Sequence, residues 1–395
     1  MTSRAAGSEP RRLTILGATG SIGRNTLDVI ALMGGRERFA VEAVTGMGNV
    51  ALLAEQAKAC GAALAVTADP ARYGELKDAL AGTGIAVAAG PQAVIEAAER
   101  PVDWVMAAIV GVAGLAPTLA AARRGATIAL ANKECLVAAG DLFLAEIGKA
   151  GGTLMPVDSE HNAIHQVIDH ARPETVERIV LTASGGPFRT WSREKMVGVT
   201  PAVAAGHPNW SMGQKISIDS ASMFNKALEM IEAKHLFGLD PAQVEVIVHP
   251  QSVIHSMVGY RDGSVLAQLG APDMRTAIGY ALGWPDRPHL PVDRLDFAKL
   301  SRLDFEAPDE TRFPALRLAR EAMARGGVAG AVLNGAKEAA LEAFIAGRIG
   351  FLDMADIVER VMTAMAGAGA ATALDDVSSA DAEARRRALQ LIGAV

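Results

Sequence analysis

At 395 residues the chain is longer than one ordinary domain, so two or three domains are expected, with ample length to bury a core. Half of the residues are hydrophobic and only 4% are aromatic, so that core is built from Ala, Val, Leu and Ile, the mix of helices packed on parallel strands. A formal net charge of −6 argues against wrapping of a polyanion such as nucleic acid, but leaves room for local basic sites that hold small phosphates. The two cysteines, Cys60 and Cys135, stand far apart without metal-ligand spacing and suggest neither a disulfide framework nor a zinc cluster. The opening MTSRAAGSEP lacks the apolar core of a signal peptide, and no segment approaches about 18 uninterrupted apolar residues. A cytoplasmic protein with no membrane partner is expected.

From Leu13 the runs LTIL, FAVEAV, ALAVTA, IAVAA, WVMAAIV, ATIALA and TLMPV read as strands, separated by stretches with helical spacing such as LAPTLAAARR. This alternation predicts an α/β fold, a Rossmann-like doubly wound parallel sheet over residues 1–157. RIVLTA and VEVIVH are further strands, and SVIHSMVGY and SVLAQLG around Arg261-Asp262-Gly263 predict a hairpin, giving an α+β unit over 158–285. Residues 286–313 are rich in proline and charge and read as a linker. Residues 314–395 turn to Ala, Glu, Arg and Leu at helical spacing and predict a small all-helical domain.

The first strand runs into Gly17-Ala18-Thr19-Gly20-Ser21-Ile22-Gly23, and a helical run follows. Glycines at a strand-to-helix turn let backbone N–H groups approach a pyrophosphate, and the helix start adds partial positive charge, so a dinucleotide site is expected here. The spacing is GxxGxxG, not the usual GxGxxG. An NAD site ends its second strand with a carboxylate for the ribose 2′-OH. Here that strand ends Thr45-Gly46-Met47-Gly48-Asn49, which favours NADP, although no Lys or Arg stands at the turn for the 2′-phosphate.

The stretch Pro156-Val157-Asp158-Ser159-Glu160 sets two carboxylates two residues apart where a strand runs out. On an extended segment both would face one way and repel unless a cation lay between them; the plain alternative is a solvated loop following the strand. His161 and His165 follow at helical spacing, but HNAIH lacks the Glu of HExxH, and no zinc site is read there. Ser184-Gly185-Gly186 after the strand RIVLT reads as an anion pocket or a plain turn. Asp219 to Glu229 reads as a capped helix start with Met223, Phe224, Ala227, Leu228 and Ile231 as its buried stripe. On that helix Asn225, Lys226 and Glu229 share one flank, where Asn and Lys beside a Ser suit a phosphate. The alternative is a solvated helix face with one Lys–Glu pair; with Asp158 and Glu160 available, Glu229 is a candidate third oxygen ligand, and three carboxylates suit Mg²⁺ or Mn²⁺. Between Thr200 and Ser217, His207, Trp210 and Met212 on a segment with Gly206, Pro208 and Gly213 fit a lid that excludes water, although Trp210 equally fits an ordinary core anchor.

GATGSIG, LANKE, PVDSEHNA, ASGGPF, HPNWSMGQKISIDSASMFNK and HPQSVIHSMV, in this order, resemble the 1-deoxy-D-xylulose 5-phosphate reductoisomerase family across nearly the whole chain. The resemblance implies that Asp158, Glu160 and Glu229 are metal ligands and that Ser184, Ser220, Asn225 and Lys226 hold the substrate phosphate. It implies further substrate contacts at Ser159, Lys133 and His207, the lid tryptophan at Trp210, and a weaker candidate at His255. Cofactor contacts are implied at Thr19, Gly20, Ser21, Ile22, Asn49, Asn132, Glu134 and Gly213. Some family members carry a basic residue immediately before the position of Asn49, where this chain has Gly48; Arg24, beside the glycine loop, is the candidate substitute.

The implied reaction converts 1-deoxy-D-xylulose 5-phosphate to 2-C-methyl-D-erythritol 4-phosphate for isoprenoid synthesis. Metal binds the ketone and an adjacent hydroxyl while the skeleton rearranges, by retroaldol cleavage or an α-ketol shift, and NADPH reduces the resulting aldehyde. The family is typically a homodimer, and the hairpin around 253–269 is the candidate interface. Two competing readings are another NADP-linked dehydrogenase on a similar two-domain scaffold, against which the contiguous DSE and SMFNK segments weigh, and a non-catalytic NADPH sensor, which has no need of three converging carboxylates.

Overall fold

The computed structural model describes residues 9–210 and 213–394. Contacts divide the chain into two compact units. One takes the residues up to Cys135 with Phe143–Asn162 and Asp273–Asp293; the other takes Leu136–Leu142, Ala163–Pro272 and everything from Arg294 onward. Among the described residues no helix is long and apolar enough to cross a membrane.

All seven strands expected of the first half form in the first unit: β1 (Arg11–Leu16), β2 (Phe39–Gly46), β3 (Leu64–Thr67), β4 (Ala86–Ala89), β5 (Trp104–Ala107), β6 (Thr127–Leu130) and β7 (Thr153–Pro156). They pair in parallel in the order β4-β3-β2-β1-β5-β6-β7. Residues of β1, β2, β5 and β6 are buried almost throughout, as helices on both faces of a parallel sheet require. The run WVMAAIV yields a strand only to Ala107, because the chain leaves the sheet there to meet the glycine loop. The winding reverses beside β1, whose neighbours are β2 and β5, so the crevice at its carboxyl end is where this fold class binds ligands.

The late segment Asp273–Asp293 completes this core. Its helix Met274–Gly283 buries Ile278, Ala281 and Leu282 against helix Ser21–Leu32. Fully buried Trp104 donates from its indole N–H to Ala281 O at 3.3 Å, and the Asn162 amide donates to Ala277 O at 3.3 Å. The contact grouping therefore cuts across the compositional boundary at 285, since a helix distant in sequence is recruited to cover an early strand.

In the second unit β8 (Val176–Ala183), β9 (Val244–Val248), β10 (Ile254–Tyr260) and β11 (Val265–Leu269) form a mixed sheet in the order β11-β10-β8-β9. The expected hairpin is β10–β11, closed by Gly263 with φ +86° and by Tyr260 N–H donating to Ser264 O at 2.9 Å. Helices Ala315–Arg325, Ala329–Ile345, Asp353–Ala364 and Leu374–Ile392 make up the carboxy-terminal part. Helix Ala329–Ile345 is buried almost all round, so its charged residues must find partners inside the protein. Between Trp284 and Phe313 the chain is largely irregular, with the four-residue helix Phe297–Leu300 and one bridge from Val248 to Glu306.

Two local expectations are corrected. Asp158 and Glu160 do not share an extended segment: the strand ends at Pro156, and Ser159–Val167 is a helix that Asp158 caps by accepting from Glu160 N at 3.3 Å. Asp219 does not begin the helix that carries Glu229. It lies in a separate helix, Gln214–Ala221, and Met223, with φ +63°, turns the chain into helix Phe224–Phe237. The expected stripe of Met223, Phe224, Ala227, Leu228 and Ile231 is buried.

Candidate active site

The glycine loop of the first unit is shaped by absent side chains. A Cβ at Gly17 would stand 2.6 Å from Ala108 O, and one at Gly23 would stand 2.5 Å from the Ala18 Cα. Gly17 N donates to Thr45 Oγ1 at 3.0 Å and Ala18 N to Thr45 O at 2.7 Å, which pins the loop to β2. Gly20 is the N-cap of helix Ser21–Leu32 and supplies no capping side chain, so the first-turn amides beside Thr19, Ser21 and Ile22 remain to receive an anion. That cradle fits a dinucleotide pyrophosphate.

Asn49 caps helix Val50–Cys60 by accepting from Leu52 N at 3.2 Å, and Met47, Gly48 and Asn49 are all exposed at the end of β2. A Cβ on Gly48 would meet nothing within 4 Å, and Arg24 is exposed on the first helix. Buried Asn132 donates from its amide to Gly111 O at 3.0 Å, while buried Glu134 accepts from Gly111 N at 3.2 Å. Both hold the 109–111 turn that follows β5.

Lys133, between those two, reaches Asp158 Oδ2 with its Nζ at 2.6 Å. Burial works against ionisation of Asp158, yet the Lys133 ammonium and the nearby His161 ring, 3.6 Å from Oδ1, hold its carboxyl well below the usual range. Oxygens of Asp158 and Glu160 lie within 4.8 Å of each other, and Ser159 Oγ donates to Glu160 Oε2. This is a charged oxygen cluster of the kind hard divalent cations take.

In the second unit Ser184 follows β8. Its Oγ lies 2.9 Å from His207 Nε2 and accepts from Gly186 N at 3.1 Å. Since His207 Nδ1 accepts from the backbone N–H groups of Asn209 (3.2 Å) and Trp210 (2.9 Å), its proton sits on Nε2 and points at Ser184. The Ser184 hydroxyl, doubly donated to, has its own proton left for an anion. Gly186 also lets helix Gln214–Ala221 come close: a Cβ there would lie 3.0 Å from the Ala221 Cα and 3.1 Å from Ser220 O. Asn225 donates to Glu229 Oε1 at 2.5 Å, and Lys226 pairs with Glu229 Oε2, both partners of that pair being buried.

His255 on β10 is buried, with its ring 5.9 Å from that of Trp210. Burial first, and then the charges of Lys226 and His249, push its pKa down to about 4, so it is neutral at physiological pH. Of the segment expected to form a lid, Pro201–Ala204 and the residues from Gln214 to Ser217 are helical, and the described residues Ala205–Trp210 lie outside helices. Gly213 is the N-cap of the second helix, and Ser211 and Met212 lie outside the described residues. Asn209, a residue with no role expected from its sequence context, ties this stretch down by donating to Pro250 O at 2.7 Å and Ser252 Oγ at 3.0 Å. Nothing in its neighbourhood signalled this, because Ser252 lies 43 residues on.

Three family descriptions match in succession: 1-deoxy-D-xylulose 5-phosphate reductoisomerase over residues 13–140, the carboxy-terminal domain of that enzyme over 154–237, and the DXP reductoisomerase carboxy-terminal domain over 269–387. A 1-deoxy-D-xylulose 5-phosphate reductoisomerase of Rhizobium rhizogenes is 71% identical over 382 residues, covering 97% of this chain and 96% of that one. The solved Zymomonas mobilis reductoisomerase in complex with NADPH has a TM-score of 0.92 at 53% identity, covering 98% of this chain and all of the other. A DOX-P reductoisomerase with NADPH, fosmidomycin and magnesium also superposes at 0.92, with 42% identity and 97% and 98% of the two chains covered. The chain belongs to the 1-deoxy-D-xylulose 5-phosphate reductoisomerase family.

Proposed function

We propose that Asp158, Glu160 and Glu229 hold the divalent metal of this enzyme and that Ser184, Ser220, Asn225 and Lys226 bind the substrate phosphate. The chain is an NADPH- and divalent-metal-dependent enzyme that converts 1-deoxy-D-xylulose 5-phosphate to 2-C-methyl-D-erythritol 4-phosphate in the MEP route to isoprenoid precursors. One observation carries the reading: the family relationship spans 97% of the chain, so the dinucleotide cradle and the phosphate-binding residues belong to one enzyme.

The all-oxygen donors Asp158, Glu160 and Glu229 suit Mg²⁺ or Mn²⁺, and the charge on Asp158 is kept by Lys133 and His161. Bound there, the metal supplies Lewis acidity to the substrate oxygens, and NADPH supplies the hydride. Gly17, Thr19, Gly20, Ser21, Ile22, Gly23, Asn49, Asn132, Glu134 and Gly213 make the cofactor site. Lys226 gives a cation and Asn225 an amide to the phosphate, while Ser184, aligned by His207, directs its hydroxyl proton at a phosphate oxygen. Ser159, Lys133 and His207 contact the substrate further. Trp210 closes over it against His255 and keeps water from the reacting carbonyl.

The enzyme works in the cytoplasm as a homodimer. Support for the dimer comes from β11, the edge of its sheet, which leaves Val265 and Leu266 about half exposed. The reaction is tested by NADPH consumption with the named substrate, with and without divalent metal.

A further inference from the structure

Helix Gln214–Ala221 carries Ser220 and follows directly on the lid loop, yet it has little apolar anchorage. Ile218 is its one large apolar side chain that is fully buried, and Ile216 is 37% exposed. Charges hold it instead. Near its start Lys215 reaches Glu342 at 2.9 Å and Glu338 at 3.5 Å. Near its end buried Asp219 takes Lys337 Nζ at 2.9 Å. All three partners stand on the single buried helix Ala329–Ile345, so the short helix is fixed at both ends to one rod.

Lys337 is the centre of this cluster. Its side chain is 3% exposed, and its ammonium bridges Asp219 and Glu338, the latter at 2.5 Å. Burial pushes the Glu338 carboxyl up, but Lys337, Lys215 and Arg385 together hold it below its ordinary range, so the cluster stays charged. On its other side the helix meets the Ser184 turn through the bare backbone of Gly186. The spacing of the Ser184 and Ser220 hydroxyls thus depends on how firmly Asp219 is held.

We infer that Lys337 is a positioning residue for the phosphate subsite, its ion pair with Asp219 fixing the helical turn that presents Ser220. This rests on the assignment of Ser220 to the substrate phosphate. Replacing Lys337 by Ala takes the bridging cation from buried Asp219 and Glu338 and is expected to fold poorly. Asp219→Asn, which leaves Lys337 paired with Glu338, therefore carries the test, with Lys337→Gln beside it. For each full-length protein one measures KM for 1-deoxy-D-xylulose 5-phosphate, NADPH affinity, and protection by inorganic phosphate against thermal unfolding.

The expected result is a KM raised, and phosphate protection weakened, each on the order of tenfold, the loss of one well-aligned charge-assisted hydrogen bond, with NADPH affinity unchanged. A folded Asp219→Asn protein with both constants as in the wild type overturns the inference. So does a parallel loss of NADPH affinity, which would mean general loosening and no specific positioning. Absence of turnover by the wild type would count against the assigned reaction alone, because phosphate protection is read without catalysis and still decides the role of Lys337.

Discussion

Lys226 and Glu229, one turn apart on helix Phe224–Phe237, form an ion pair whose side chains are only 4% and 1% exposed, with the Asn225 amide on the second carboxylate oxygen. A buried carboxylate deprived of its cation costs far more than a surface pair returns. Lys226→Ala is therefore expected to lower stability by about 3 to 5 kcal/mol in metal-free protein, as buried pairs lose when one partner is removed. Millimolar Mg²⁺ should restore part of that by replacing the missing charge at Glu229. Thermal melts with and without Mg²⁺ check this; a deficit unchanged by Mg²⁺ would argue that Glu229 is not a metal ligand.

Glu229→Gln separates the metal from the cofactor. NADPH affinity, read by fluorescence titration, should stay at the wild-type value while turnover at subsaturating Mg²⁺ falls by about two orders of magnitude or more, the scale of losing a positioned electrostatic catalyst. Unchanged turnover would remove Glu229 from the ligand set.

The glycine cradle should be intolerant of a methyl group. Gly23→Ala would press a Cβ against the Ala18 Cα, an overpacking of about 1 to 3 kcal/mol, which, if borne by the bound state, is roughly five- to 150-fold in NADPH affinity. A Gly23→Ala protein that binds NADPH like the wild type would show that the loop does not approach the cofactor closely.

Gly48 behaves in the opposite way, since open space surrounds its Cα. Gly48→Arg should fold normally and raise the preference for NADPH over NADH, and Arg24→Ala should lower it. Both are read from the ratio of the two cofactors' affinities. Preference unmoved by either change would place recognition of the 2′-phosphate elsewhere.

His255 gives stability a pH dependence. Its pKa of about 4 in the folded protein lies below the ordinary value near 6.5, so the unfolded chain takes up the proton first as pH falls. Stability is thus intact above about pH 6.5 and declines between there and pH 4, by about 3 kcal/mol for this group. His165, also lowered to about 4 by burial and by the neighbouring His170, adds a slope of the same sign. Denaturant unfolding of His255→Gln at pH 7 and pH 5 should show a smaller difference than the wild type, and an equal difference would contradict the assignment.

Strands β1 to β7 were legible because each is a short apolar run in a parallel sheet, a signal carried within a few residues. The flank of Asn225, Lys226 and Glu229 was legible for the same reason, being set by helical spacing alone. What the sequence concealed depends on distant chain. The return of helix Met274–Gly283 to cover Trp104 is such a case, as are the anchoring of Asn209 by Ser252 and the hold of Lys337 on Asp219. Asp158-Ser159-Glu160 misled for a local reason: an Asp that ends a strand and one that caps a helix read alike until the capping bond is seen.

The most direct test of the account is NADPH consumption by the purified chain with 1-deoxy-D-xylulose 5-phosphate, in Mg²⁺ or Mn²⁺ and again after EDTA treatment. Turnover to 2-C-methyl-D-erythritol 4-phosphate that vanishes with EDTA and returns with metal is the predicted result. NADPH binding without turnover in the presence of metal would contradict it.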